Sequence, residues 1–507
     1  MAEATPAKKT AWQMMVQYFR DFGVLRDNPK AYWAIQAINF LDCIAYFSFM
    51  GIAAVFLRKE MGWDDVNAGY IYSSFTMLVT ISLFFVGFVT DALGVRRATI
   101  LTMAVSLAAR AGIAACGLLT ELPHREWIVI AFFLLASPGM AMSQTLFQAA
   151  NRRFSSRRSR SASFNMWYLV MNVGAMIGGY SIDVVRLRLA LGDSWIYAFG
   201  AATTALALLV GFLLVWEERQ AEAAAEAATD SAGESPRLPG EDRADRFIAW
   251  MKAHRTVAIF AFPAVFFPAV LGFARRFLVL ILESAFWRFI VLMVSVLGVR
   301  AVFLYFSLLM PVYWTRVIGE DVQMGLLQSI NPFCIIVGLV LFIPIAHRFH
   351  VFKMLVVGAT ISAVSIAVLV LPWGLFGQDM ARAYFAMSIV SMVICSIGEM
   401  LWSPKLQEYT AAIAPKGQEG AYFGLSMMPW FVAKLIVSSL SGHMLVRWCP
   451  EGIGPSLQAG TLGFWHRPEA MWLVLFLWAL AGPTLAWVLR GWLTKGADLD
   501  AKAPASA

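Results

Sequence analysis

Apolar residues fall in twelve long blocks, each about the length a helix needs to cross a bilayer, separated by short polar or charged stretches. The blocks lie near 31–57, 66–90, 98–119, 127–149, 164–185 and 194–216, then near 286–314, 322–346, 354–373, 381–402, 421–446 and 469–489. The pattern predicts an all-α membrane protein with twelve transmembrane helices in two six-helix bundles, 31–216 and 286–490. Residues 217–285 then form a cytoplasmic linker. Positions 217–246 carry nine acids, four arginines, two prolines and no aromatic, which predicts a solvated segment, helical only in its Ala/Glu part. The apolar run 257–271 contains Pro263 and Pro268, too short and too broken to span, and is expected at the interface or as a partial hairpin. At the start, within residues 1–30, Trp12, Met15, Phe19 and Phe22 share one helix face and predict an amphipathic cytoplasmic segment; 491–507 is a cytoplasmic tail.

Composition supports the pattern: 60% of the 507 residues are hydrophobic and only 14% charged, which excludes a soluble protein. The net charge of +8 is spread between apolar blocks rather than gathered on one module, so no nucleic-acid partner is expected. With both termini in the cytoplasm, the inner loops collect eighteen Lys and Arg outside the linker and the outer loops nine, which sets the orientation in the cell membrane. Cys43, Cys116, Cys334 and Cys395 sit in apolar blocks and Cys449 in a loop, so no disulfide framework is suggested. No cleaved signal peptide is expected from the N-terminal sequence. The dipeptide Gly-Lys is missing, so there is no phosphate-cradling loop, and neither H-E-x-x-H nor G-x-S-x-G occurs. Five of the six histidines fall in loops or at block edges, and His443 lies toward the end of its block. Neither an ATP-driven pump, nor an enzyme, nor a cofactor is expected.

Three motifs add chemistry. GFVTDALGVRR follows the second block and places Gly87, Asp91, Gly94, Arg96 and Arg97 in the pattern G-x-x-x-D-x-x-G-x-R-R. Glycines permit a tight turn, and an acid beside two arginines can hold a gating network. This resembles the loop signature of the major facilitator superfamily. The fifth block begins SFNMWYLVMNVGAMIG and the tenth contains GEMLWSPKLQEY. Both resemble signatures of the proton-dependent oligopeptide transporter family, through Phe164, Trp167, Tyr168, Asn172, Gly174 and Ala175 in the first and Gly398, Glu399, Ser403 and Pro404 in the second. The resemblance covers most of 31–490 and implies alternating access with proton-coupled uptake of peptides. The sequence also departs from it. Where that family's first helix has E-x-x-E-R-F-x-Y-Y, this chain has Asn39, Asp42, Cys43, Ile44, Tyr46 and Phe47 at the matching positions. Gln144 stands where the family often has lysine.

Asp42, Arg110, Arg300, Glu399 and Lys434 all fall inside apolar blocks, where an unpaired charge costs at least about 2.5–3.5 kcal/mol on insertion. Asp42 and Glu399 are the candidate proton carriers, since loss of water favours the neutral carboxyl. Arg300 and Lys434 offer cationic partners for them or for the substrate, while Arg110 is the weakest candidate. Tyr46 and Trp402 lie within one or two turns of the acids, and Gln144, Asn172 and Asn331 complete the expected substrate site. Asn331-Pro332 and Pro429 mark places for a break or bend. The reading is a secondary transporter, a monomer whose partners are the lipid bilayer, protons and a small polar or zwitterionic solute such as a di- or tripeptide. An exporter using proton antiport, and a sensor or lipid-handling protein on the same scaffold, are the alternatives.

Overall fold

The computed structural model describes residues 16, 20, 22–156, 159–214, 284–341, 350–413 and 428–495. The linker between the bundles, the 257–271 run, and Trp12, Met15 and Phe19 lie outside them. Chain entry is a short turn, Gly23–Asp27, after which Pro29 precedes α1 (Lys30–Lys59). The stretch Asp65–Leu118 is broken at Gly94 into α2 (65–93) and α3 (95–118). Then come α4 (Arg125–Arg153), α5 (Arg160–Asp183) with a wider turn Val184–Arg188, and α6 (Ser194–Leu214). The second half holds α7 (Ser284–Val317), α8 (Met324–Leu341), α9 (Val351–Val364) with a tightened last segment, α10 (Met380–Ile413), α11 (Met428–Trp448) and α12 (Pro468–Val488). Among the described residues nine helices are long and apolar enough to cross a membrane. The twelve helices follow the twelve predicted blocks.

Three details differ from the sequence reading, each for a physical reason. The expected loop between the second and third blocks is a single non-helical residue. Gly94 takes φ 76°, ψ 163°, a conformation open only to glycine, so the two helices meet without a connecting segment. Gly94→Val is therefore expected to cost about 1–3 kcal/mol, read as a lower unfolding temperature in detergent. Second, α8 runs through Asn331-Pro332, so this proline does not break its helix. Third, α10 extends eleven residues beyond its predicted end at 402, to Ile413. This places Lys405, one of the eighteen basic residues assigned to the inner loops, within the helix, where it is 1% exposed and donates to Glu408 at 2.7 Å.

α1 packs on α5 and α6, and α4 against the α2–α3 arm; in the second half α9 packs on α10, and α7 on α11 and α12. The bundles meet through α5 with α8, α2 with α11, and α1 with α7. One end of the molecule, here called distal, carries the α1–α2, α5–α6, α7–α8 and α11–α12 connections. At that end a single apolar core joins both bundles, with Phe49, Val55 and Phe133 from one and Leu309, Trp314 and Met444 from the other. Toward the proximal end the core divides. Ile35, Val95 and Phe147 belong to a cluster drawn from the first bundle alone, and Phe289, Leu355 and Leu406 to one drawn from the second.

Candidate functional site

In the first bundle the acid of α1 is enclosed. Arg110 Nη1, from α3, donates to Asp42 Oδ1 at 2.8 Å, with the two side chains 2% and 5% exposed. The same nitrogen donates to Thr204 Oγ1 on α6, whose hydroxyl donates back to the Gly200 carbonyl at 2.6 Å. Three helices are thus tied at mid-depth by one guanidinium. The cation that meets Asp42 is Arg110, the weakest of the sequence candidates, and not Arg300 or Lys434. Tyr46, one turn after Asp42, faces exposed Gln144 across α1 and α4.

In the second bundle the charges converge on the interface. Asn331 Nδ2, on α8, donates to Glu399 Oε2 at 2.8 Å and to Ser396 Oγ at 3.0 Å, both on α10. Asn331 acts through its side chain, not through a broken backbone. Arg300 of α7 lies over two indoles, 4.9 Å from the Trp402 ring centre and 5.2 Å from that of Trp430. Lys434 of α11 also reaches this indole, its Nζ 5.6 Å from the Trp430 ring centre. Arg300 faces Glu399, and Tyr168 of α5 brings the first bundle within electrostatic range of both. Trp402 is fully buried and donates from Nε1 to Ser362 Oγ at 3.2 Å, which fixes its ring under Arg300. Asn172 bonds the Tyr168 carbonyl one turn back at 2.8 Å, so its amide serves its own helix. Glu399, Asn331, Arg300, Trp402 and Lys434 are therefore brought together, while Asp42 stands apart in its own pair.

The distal end is bonded across the bundles. Asp65, at the start of α2, accepts from Arg58 Nε at 2.5 Å and from Arg316 Nη2 of α7 at 2.8 and 2.9 Å. Glu451 joins Arg58, and Lys59 pairs with Glu320. Asp183, ending α5, accepts from the Gly325 and Leu326 amides at 2.7 Å each, capping the exposed donors at the start of α8. Here Gly325 is required by closeness, since a Cβ would run into the Gly179 carbonyl. Nearby, burial pushes the Asp193 carboxyl up, and the Arg186 guanidinium at 3.1 Å opposes that shift. Asp183→Ala withdraws charge-assisted bonds worth about 1.5–3 kcal/mol each from this closed end. Spin labels on the distal ends of α5 and α8 should then show a longer-distance population; an unchanged distribution would assign Asp183 to helix stability alone.

Of the expected gating residues, Gly94 makes the break, Arg96 is half-buried and Arg97 exposed, while the side chains at Gly87 and Asp91 lie outside the described residues. The side chain of Pro429 lies outside them too. Sequence reasoning missed Trp430, though it sits one turn before Lys434 and the i, i+4 spacing announces it. It also missed Asp65, Arg316 and Asp183, which sit at block ends where charge is ordinary. A groove of about 370 Å³ between α5 and α8 is lined by Met176, Ile177, Tyr180, Leu326, Ile330 and Phe333 with Ser329, none of them a member of this cluster.

Comparison with known proteins follows the same line. The profile of the Major Facilitator Superfamily matches residues 37–438. Dipeptide and tripeptide permease A of Edwardsiella piscicida is 23% identical over 443 residues, covering 82% of this chain and 85% of the permease. The Escherichia coli (strain K12) protein of the same name is 23% identical over 437 residues, with coverage of 82% and 85%. A crystal structure of a peptide transporter POT in complex with sulfate superposes with a TM-score of 0.67 at 16% identity, covering 92% of this chain and 96% of the other. A POT family transporter in complex with 5-aminolevulinic acid gives 0.65 at 17% identity, covering 92% and 97%. Since the profile spans residues 37–438, well over half of its length, this chain belongs to the major facilitator superfamily.

Proposed function

We propose that this protein is a proton-coupled symporter of small polar or zwitterionic solutes, di- and tripeptides among them, working by alternating access in the cell membrane. The carrying observation is Glu399: a carboxylate at the bundle interface, hydrogen-bonded by Asn331, facing Arg300 from its own bundle and Tyr168 from the other. A proton on Glu399 removes the negative charge opposite Arg300 and changes what the site attracts. Cys395, one turn earlier on α10, also lies within range of that charge. Asp42 differs because Arg110 is already in contact with it, which gives it the role of holding three helices together. The similarity to dipeptide and tripeptide permeases supports a peptide substrate.

In this reading the proximal end faces the cytoplasm, as the lysine and arginine count favours, and the bonded distal end is the closed outer gate. The break at Gly94 and the neighbouring Arg96 and Arg97 serve the inner gate. The unit is a monomer that binds substrate and protons, carries no cofactor and performs no catalysis. The test is uptake of dialanine into proteoliposomes with an imposed pH gradient. Accumulation should follow the inward proton gradient and vanish when it is collapsed; accumulation indifferent to the gradient would refute the coupling.

A further inference from the structure

Lys434 is 6% exposed, yet no carboxylate lies within 4.0 Å of its Nζ among the described residues, and its Nζ lies over the face of Trp430. Arg300 is in a similar state: its Nε is buried without a hydrogen-bond partner, and its contacts are the Trp402 and Trp430 faces. Among the described residues neither cation has a carboxylate within 4.0 Å, Glu399 facing Arg300 from farther off, and aromatic faces offset only part of the cost of burying a charge. Two such cations sharing one indole define a place for an anion. The first bundle offers nothing equivalent at the positions read above: Cys43 and Gln144 are neutral, and Arg110 is engaged by Asp42 and Thr204. The groups facing the shared indole and its surroundings are Arg300 from α7, Glu399 from α10, Lys434 from α11 and Tyr168 from α5. Their formal sum is positive by one while Glu399 is ionised, and by two when it carries a proton.

We infer that the second bundle binds the substrate's carboxylate, between Arg300 and Lys434 beside the Trp430 ring, and that the site selects acid-terminated, net-anionic solutes. This rests on the symport reading and specifies its substrate class. A zwitterion leaves the cluster with surplus positive charge, whereas a solute with a free carboxylate and a blocked amine neutralises it. Protonation of Glu399 then assists the anion by removing its one negative competitor.

The experiment measures binding by thermal stabilisation and tryptophan fluorescence of the purified full chain, using dialanine, N-acetyl-dialanine and dialanine amide as probes. N-acetyl-dialanine is expected to bind at least about tenfold more tightly than dialanine amide, a difference of about 1.4 kcal/mol. Lys434→Gln and Arg300→Gln should each remove most of that preference. Equal binding of acid and amide, an acid preference unchanged in both variants, or no binding of any probe would each overturn the inference. The underlying reading fails separately, by gradient-independent uptake. If dialanine accumulates with the gradient while acid and amide bind alike, symport stands and the carboxylate site falls. If N-acetyl-dialanine binds through Lys434 while no gradient drives uptake, the site stands and symport falls.

Discussion

Proteoliposomes carrying Glu399→Gln are expected to lose gradient-driven accumulation of dialanine entirely while still exchanging labelled for unlabelled solute. The amide keeps the shape of the carboxyl and can still bond Asn331, which approaches within 2.8 Å of Oε2 in the native protein. What it loses is the ability to alternate between a charged and a neutral form opposite Arg300. Exchange requires the bundles to rock with solute bound and needs no net proton movement. Accumulation requires the proton. If Glu399→Gln concentrates solute as well as the native protein does, the coupling group lies elsewhere, and Asp42 would be the next to examine.

The second large effect is on stability. Arg110→Met is expected to destabilise the protein by about 3–5 kcal/mol, because it leaves the Asp42 carboxylate buried without its cation. Asp42→Asn alone should also be costly, since it strands the Arg110 guanidinium, which is 2% exposed. The double variant should recover much of the loss, because the penalty belongs to whichever charge is left alone. Unfolding temperatures of the four proteins in detergent form the cycle. Additive losses in the double variant would mean that the two side chains do not act as a pair. The cycle also separates roles: a double variant that is stable and still accumulates solute places Asp42 outside proton coupling.

Much of the architecture was legible because a bilayer allows little else. A block of some twenty apolar residues has to close its own backbone hydrogen bonds, so length and hydropathy alone locate α1, α4, α6 and α12 within a few residues. Buried charge was legible for the same reason, and Asp42, Arg110, Glu399, Arg300 and Lys434 were found by their cost. Their partners were not. Whether Asp42 meets Arg110 or Arg300 depends on how α1, α3 and α7 are rotated, and periodicity in a nearly all-apolar helix carries little rotational information. Helix ends were misjudged where hydropathy fades: the tenth block was ended at 402, but α10 continues through Pro404 to Ile413 and buries Lys405. The distal ion pairs were hidden because Asp65, Arg316 and Glu451 look like ordinary loop residues until two bundles bring them together.

The apolar core that is whole at the distal end and divided at the proximal one has a thermodynamic consequence. Moving to the opposite state means parting Phe49 and Val55 from the layer that holds Leu309 and Trp314, and wetting whatever the new vestibule exposes. Hydrating apolar surface raises heat capacity, so the enthalpy separating the two states changes with temperature. The balance between them is then curved against temperature rather than fixed, and a preference seen at one temperature does not transfer unchanged to another.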